Sequence, residues 1–216
     1  MESALAWIRP VMAWLGAGTA CCAAVWLVNP QLAAGSNPAA AGDSRQAMIE
    51  VLGADGPHPA LGDEAAIFDR LVGSWDAEFS IIAEDGAVTR FPGELHFGWV
   101  LDGHAMQDIW ISYSQDEAGT RKNIGTSVRI FDRESGQWQV VWVAASRGSL
   151  TTLCGGAEGD RIVLVGNDTD GADLRWSFND LRPDSFLWRG EISRDGGKTW
   201  RLQEEHRIHR RQTGAR

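Results

Sequence analysis

Cysteine is scarce in this sequence: there are three in 216 residues, and Cys21 and Cys22 lie near the N-terminus. Only Cys154 remains for the later part of the chain, and a single cysteine cannot form an internal disulfide. Tyrosine occurs once, against 11 tryptophans. The absence of a disulfide framework means that burial of apolar side chains must hold the fold together.

Positive charge is also in short supply, because 20 lysines and arginines stand against 29 aspartates and glutamates. Glu2 and Arg9 are the only charged residues before Asp43, so the net charge of −9 belongs to the later residues. The acidic balance, without a basic stripe, argues against nucleic acid as a partner. Residues 211–216 are predicted to form a basic, solvated tail.

One long uncharged run is present, Val11–Val28, with Arg9 just before it. Its length is near the lower limit for a bilayer span and long for the core of a signal peptide. Residues 1–42 are therefore predicted to be a signal peptide or a membrane anchor followed by a flexible tether. Both place the later residues outside the cytoplasm, whereas a translation start at Met48 would give a cytoplasmic product.

Residues 43–72 predict two short helices. Asp43 begins a capping box before an apolar stripe that includes Met48. Asp63 can cap a second helix, and Gly73 can end it in a left-handed conformation.

Helical spacing is absent from residues 73–210, where apolar and polar residues alternate in short runs. Turn sequences such as Glu84-Asp85-Gly86 separate the runs. This pattern predicts an all-β fold, a single up-and-down antiparallel barrel of about ten strands, because closure removes both exposed edges. The predicted strands lie near residues 75–83, 87–91 leading into 94–101, 104–113, 124–132, 137–145, 149–154, 160–168, 173–181, 185–193 and 199–209.

In each predicted strand, apolar residues occupy every second position, and we call these positions the apolar parity of the strand. Their side chains are predicted to face the lumen. The inward set includes the tryptophans Trp99, Trp142, Trp176 and Trp188, and also Ile109, Ile111, Val128, Ile130, Trp200 and Leu202. A lumen walled by tryptophan suits a small hydrophobic ligand. A solid interior filled by the same side chains is the alternative.

Three polar residues share this apolar parity: Gln107, Glu204 and His206. A carboxylate and an imidazole in an apolar lumen would need each other or a ligand as partners. Glu204 and His206 are therefore candidates for an acid–base pair, and His206 for a ligand of haem. A bulge near Glu204-Glu205 would instead turn both side chains to solvent.

In a second assignment, the strand that contains residue 108 turns its other face to the lumen, and this changes the polar pair. His104, Asp108 and Trp110 would then face the lumen, with His104 and Asp108 as the polar pair. No two histidines show a zinc-type spacing with a third ligand, so no metal site is predicted. Phosphate-loop and nucleophile-elbow motifs are absent.

Three segments resemble a group of bacterial proteins with a calycin-type barrel, related in architecture to lipocalins and nitrobindins. They are Leu71–Trp75, Trp99–His104, and Phe131-Asp132 followed by Trp138–Trp142. The resemblance covers about residues 68–210. It implies that Trp75 plugs the closed end of the barrel and that a small hydrophobic molecule is bound.

We therefore expect binding or carriage of a small hydrophobic ligand, without catalysis, at Trp99, Gln107, Trp142, Trp176, Trp188 and His206. One alternative is an enzyme, an isomerase, cyclase or hydrolase, with Glu204 and His206 as its catalytic pair. The other is a haem protein, since nitrobindin-like barrels bind haem through a histidine near the C-terminus, where His206 falls.

Overall fold

The computed structural model describes residues 38–116 and 119–212. These residues form a closed antiparallel barrel of ten strands, preceded by two short helices. The predicted fold class is confirmed. No helix within the described residues is long and apolar enough to cross a membrane. Residues 11–28, predicted as a signal or anchor, lie outside the described part of the chain.

The barrel follows a short lead-in at its N-terminal side. The lead-in consists of α1 (Pro38–Leu52), β1 (Gly53–Ala54), a 3-10 helix (Pro59–Glu64) and α2 (Ala65–Asp69). The barrel strands are β2 (Gly73–Ile82), β3 (Val88–Val100), β4 (Ala105–Asp116), β5 (Gly119–Asp132), β6 (Gln137–Ala144), β7 (Ser149–Glu158), β8 (Arg161–Asn167), β9 (Asp173–Asn179), β10 (Ser185–Ser193) and β11 (Arg201–Arg210). A second 3-10 helix, Ala145–Arg147, connects β6 to β7.

Each strand pairs with the next one along the chain, and β11 returns to pair with β2. That last pairing closes the barrel and leaves no free edge among the ten strands. The short strand β1 pairs with Trp99 and Val100 of β3. These two residues come after Phe97, the last residue of β3 that pairs with β2.

The lead-in seals one end of the barrel, which we call the closed end. Phe68 of α2 is fully buried and meets Trp138 edge to face at 4.9 Å. Trp75 is also fully buried, and its indole N–H donates to the Leu71 carbonyl oxygen at 2.8 Å. The opposite end, which we call the mouth, consists of strand ends, hairpins and the Ala145–Arg147 helix.

The helices differ in detail from the sequence-based expectation. Helix α1 begins at Pro38, before the predicted cap at Asp43. The predicted second helix, Asp63–Val72, is shorter in the structure, where α2 spans Ala65–Asp69 and a 3-10 helix precedes it. Gly62, with φ of 60°, interrupts that 3-10 helix. Arg211 at the start of the predicted tail is held by ion pairs with Asp76 (2.6 Å) and Glu94 (2.5 Å).

Strands β4 and β5 face the opposite way from the first assignment, and the second assignment was right that Asp108 and Trp110 face the lumen. Residues paired across an antiparallel ladder share a face, and inward-facing Phe97 and Trp99 pair with Asp108 and Met106. The predicted inward residues of the two strands therefore point outwards: Ile109, Ile111, Val128 and Ile130. Apolar parity failed here because the lumen contains a charged pair, described below.

Candidate functional site

Four tryptophans meet inside the barrel toward its mouth: Trp110 of β4, Trp142 of β6, Trp176 of β9 and Trp188 of β10. We call them the tryptophan quartet. Their rings form a closed circuit of edge-to-face contacts, with centroid separations of 6.0 Å (Trp110–Trp142), 6.2 Å (Trp142–Trp176), 5.5 Å (Trp176–Trp188) and 5.3 Å (Trp110–Trp188). Such contacts are the preferred geometry of aromatic pairs.

The quartet fills the lumen at its own level, because β4 and β10 lie on nearly opposite sides of the barrel. The expected hollow lumen is therefore replaced here by packed rings. Trp188 is only 5% exposed, while Trp110, Trp142 and Trp176 remain partly exposed. Since the closed end is sealed, this apolar surface is accessible from the mouth and forms its floor.

A missing side chain on the wall makes room for one member of the quartet. A Cβ on Gly125 of β5 would lie 2.2 Å from a ring carbon of Trp142, far inside van der Waals contact. Trp142 can therefore lie against the wall only because residue 125 is glycine. Gly93 of β3 makes the same allowance for the Phe79 ring, whose nearest carbon would be 2.0 Å from an added Cβ.

Glu204 and His206 of β11 face the lumen beside the quartet. The His206 ring stacks on Trp188, with centroids 4.8 Å apart and planes 12° apart. The Ser80 backbone N–H donates to His206 Nδ1 at 3.3 Å, so in the neutral ring Nε2 carries the proton. His206 Nε2 in turn lies 3.2 Å from Glu204 Oε2 and donates to it.

The two members of this pair differ in access to solvent. The His206 side chain is 2% exposed, whereas that of Glu204 is 40% exposed. Desolvation raises the pKa of Glu204, but the hydrogen bond and attraction from His206, with a contribution from Arg147, outweigh it. The net effect lowers the pKa of this carboxyl group, so Glu204 presents an ionised carboxylate at the mouth.

A bulge does occur near this pair, but it leaves both residues facing inwards. The β10–β11 register shifts between Gly190 and Glu191: Gly190 pairs with Glu204, and Glu191 with Leu202. The bulge therefore reverses the facing of Leu202. This residue was predicted to face inwards, but it pairs with Glu191 on the outer face. Trp200, also predicted inside, packs on the Arg175 guanidinium of the outer wall, 4.3 Å from its ring centroid.

A second polar pair, Asp108 and Arg129, lies deeper in the lumen. Arg129 Nη2 contacts Asp108 Oδ2 at 2.5 Å, and the side chains are 3% and 0% exposed. Asp108 Oδ1 also accepts the Ser127 backbone N–H at 2.8 Å. The Arg129 guanidinium lies 5.1 Å from the Phe68 ring centroid. The partner of Asp108 is thus an arginine from β5 and not His104, as the second assignment supposed.

Two predicted ligand-binding residues lie away from the mouth. Gln107 faces outwards and its amide donates to Thr126 Oγ1 at 3.0 Å, so the prediction that it lines the lumen was wrong. Trp99 faces inwards but at the closed end, where its indole donates to Asp69 Oδ1 at 2.8 Å. His206 is in place, but both of its ring nitrogens are engaged, which leaves neither free for haem iron.

Arg129 was missing from the predicted site, and Trp110 faced the lumen in the second assignment and not in the first, although the sequence carried a signal for it. The turn at Asp102-Gly103 sets the β3–β4 register, and inward-facing Trp99 then requires inward-facing even-numbered residues on β4. Following the register across the hairpin, instead of apolar parity, would have placed Trp110 in the lumen.

Comparisons with known proteins agree with the barrel fold. A comparison with protein-family models and one with curated proteins found no match. An S-type phycobiliprotein lyase, CPES, from Guillardia theta is similar in structure, with a TM-score of 0.50 and 15% identity over 69% of this chain and 93% of that one. Rv2717c from M. tuberculosis is similar too, with a TM-score of 0.51 and 16% identity over 72% and 99%. At these identities the likeness shows a calycin-like barrel fold alone.

Proposed function

We propose that this protein binds a small, flat, hydrophobic molecule at the mouth of its barrel, on the tryptophan quartet. The observation that carries the proposal is the partly exposed surface of Trp110, Trp142 and Trp176 on the inner face of the barrel. Contiguous apolar surface in a cleft is characteristic of ligand sites, and indole rings suit the face or edge of a planar ring system.

Two polar groups lie beside this apolar surface, the indole N–H of Trp110 and the carboxylate of Glu204. Among the described residues, the buried indole N–H of Trp110 has no hydrogen-bond acceptor. An unpaired buried donor costs free energy, which a carbonyl or ether oxygen of the ligand would offset. Glu204 adds an ionised carboxylate at the same mouth, able to accept a hydrogen bond from the ligand. The proposed ligand therefore combines a flat apolar body with a few polar atoms.

Tryptophan fluorescence tests this proposal directly. Planar probes, a polyaromatic hydrocarbon and a metal-free porphyrin, should quench the emission, while a saturated fatty acid should bind more weakly. Trp176→Ala should reduce the affinity for the planar probe at least about tenfold, as loss of an aromatic anchor does.

Trp200→Ala is the matched control, because Trp200 packs on Arg175 of the outer wall. We expect this variant to bind the planar probe as the unmodified protein does. Equal weakening by both substitutions, or no quenching by either planar probe, would contradict the proposal.

Glu204 favours a second candidate function, proton transfer to or from a molecule held at the mouth. His206 is too buried to reach that molecule, so it would act by positioning Glu204, which would serve as the base. Glu204→Gln should then abolish turnover of a bound compound while leaving its affinity within about threefold. Turnover that survives in Glu204→Gln would exclude this candidate.

A further inference from the structure

A cluster of metal-ligating side chains lies at the closed end of the barrel, away from the quartet. His58 precedes the first 3-10 helix, and Asp102 and His104 belong to the β3–β4 hairpin. One ligand atom from each residue, a ring nitrogen or a carboxylate oxygen, lies within 4.8 Å of the other two. Two imidazoles and a carboxylate form a donor set that suits Zn²⁺ and neighbouring divalent transition-metal ions.

Backbone contacts fix the two segments of this cluster against each other. The His58 N–H donates to the Gly103 carbonyl at 2.9 Å, and the Leu101 N–H donates to the Leu52 carbonyl at 2.9 Å. A Cβ on Gly103 would lie 2.4 Å from the Gly56 carbonyl oxygen, so only glycine permits this approach. The meeting of the side chains therefore follows from the packing of the main chain.

The hairpin adopts an unusual backbone at these positions. Leu101, Asp102 and Gly103 are consecutive residues in the left-handed region, with φ of 54°, 56° and 76°. This region is disfavoured for a leucine, and such strain persists where the surrounding structure enforces it. The left-handed run carries Asp102 and His104 to the side of the hairpin where His58 lies.

The surroundings of the cluster suit a cation. An open groove of about 710 Å³ is lined by His58 and by the carboxylates Glu50, Asp55 and Asp102, and its described lining residues include no lysine or arginine. Within the described part of the chain, neither the Asp102 carboxylate nor a ring nitrogen of His104 has a hydrogen-bond or ion-pair partner. The imidazole of His104 stacks on that of His58, with centroids 3.9 Å and planes 21° apart. A shared ion lies in the plane of each ring that binds it, so one of the two rings must rotate out of this stack when the ion binds.

His58 makes one competing contact, because its Nδ1 accepts the Ala60 backbone N–H at 3.1 Å. A metal ion on Nδ1 takes that lone pair, and a metal ion on Nε2 requires a proton on Nδ1. In both cases the Ala60 N–H loses its acceptor and turns to water. Metal binding therefore carries a local signature at Ala60.

We propose that His58, Asp102 and His104 together bind one divalent transition-metal ion of the Zn²⁺ class. Three protein ligands leave one position of a tetrahedral ion open towards the groove, for water or for a donor atom of another molecule. The site lies outside the lumen and is independent of the function proposed for the mouth.

Calorimetric titration of the full-length, untagged protein with ZnCl₂ tests this proposal, and we expect one ion per chain. His104→Ala should weaken Zn²⁺ binding at least about 100-fold, and Asp102→Asn at least about tenfold. Asparagine tolerates the left-handed backbone at residue 102, so the second variant keeps the hairpin. His209→Ala removes an exposed histidine outside the cluster and should bind Zn²⁺ like the unmodified protein.

The Ala60 amide resonance gives a second readout, and it should shift on addition of Zn²⁺ to the unmodified protein. Three results would each overturn the proposal: no binding at millimolar ZnCl₂, equal affinity of the unmodified protein and His104→Ala, or Zn²⁺ binding that leaves the Ala60 resonance unmoved. The last result would place the ion elsewhere on the acidic surface.

Discussion

The two halves of the barrel interior bury their aromatic side chains to different degrees. In the closed half, Phe68, Trp75 and Trp138 have no exposed surface. In the half near the mouth, Trp110, Trp142 and Trp176 keep part of their surface accessible although they face the lumen. Stability explains the closed half, since burial of aromatic area drives folding. The exposed rings at the mouth contribute less to folding than they could, which is expected of a binding surface.

Polar pairs follow the same division. The Asp108–Arg129 pair is buried and surrounded by phenyl rings, whereas the Glu204–His206 pair reaches the mouth through its carboxylate. A buried pair is sensitive to loss of one partner because the other charge stays in the apolar interior. A partly exposed carboxylate is tolerated at little cost and remains available to a ligand.

The largest effect is expected in the closed half, from Asp108→Ala. This substitution leaves the buried Arg129 guanidinium without its carboxylate partner. Its Nε and Nη1 already have no partner among the described residues. We expect the free energy of unfolding in urea to fall by about 3–5 kcal/mol. Asp76→Ala, which removes an exposed partner of Arg211, should cost about 1 kcal/mol or less. Similar losses for both variants would remove the distinction between the two environments.

A smaller effect is expected at the mouth from Gly125→Ala, which forces Trp142 off the wall. Overpacking of this kind costs about 1–3 kcal/mol, and the displaced ring should change the near-ultraviolet circular dichroism. Gly98→Ala is the matched control, because a Cβ there meets nothing within 4 Å. A Gly125→Ala protein as stable as Gly98→Ala would show that Trp142 is free to move and that the quartet is not a fixed surface.

The smallest effect is expected from Glu204→Gln, and it depends on pH. The pKa of Glu204 is lowered in the folded protein, so its contribution to stability is present above the unfolded value of 4.5. That contribution is lost as the pH falls through the folded value. Glu204→Gln should lower the free energy of unfolding by about 1 kcal/mol or less at neutral pH, because the carboxylate is partly exposed. The gap should close in acid, and a gap that is constant with pH would contradict the assigned pairing with His206.

Strand positions could be predicted from the sequence because alternation and turn chemistry are local properties. The facing of β4 could not be predicted by polarity, since Asp108 and Trp110 face the lumen and Ile109 faces outwards. Arg129 explains this facing, because its positive charge neutralises the Asp108 carboxylate, which would otherwise be excluded from the interior. Only the register across the hairpin reveals this arrangement.

The position of the β11 bulge and the metal-ligand cluster were also beyond local patterns. Glu204 faces inwards because the register shift lies on its Leu202 side, and no residue type marks that choice. His58 meets His104 only after the lead-in packs on the β3–β4 hairpin through backbone hydrogen bonds. Such long-range contacts leave no spacing signal in the sequence.

Two indole N–H groups provide the most direct test of ligand binding at the mouth. Trp110 and Trp138 each have a buried indole nitrogen without a partner among the described residues, one in each half of the barrel. Addition of the planar probe that quenches fluorescence should shift the Trp110 indole resonance in a proton–nitrogen correlation spectrum and leave that of Trp138 in place. A shift at Trp138 with none at Trp110, or no shift at either, would contradict ligand binding on the quartet.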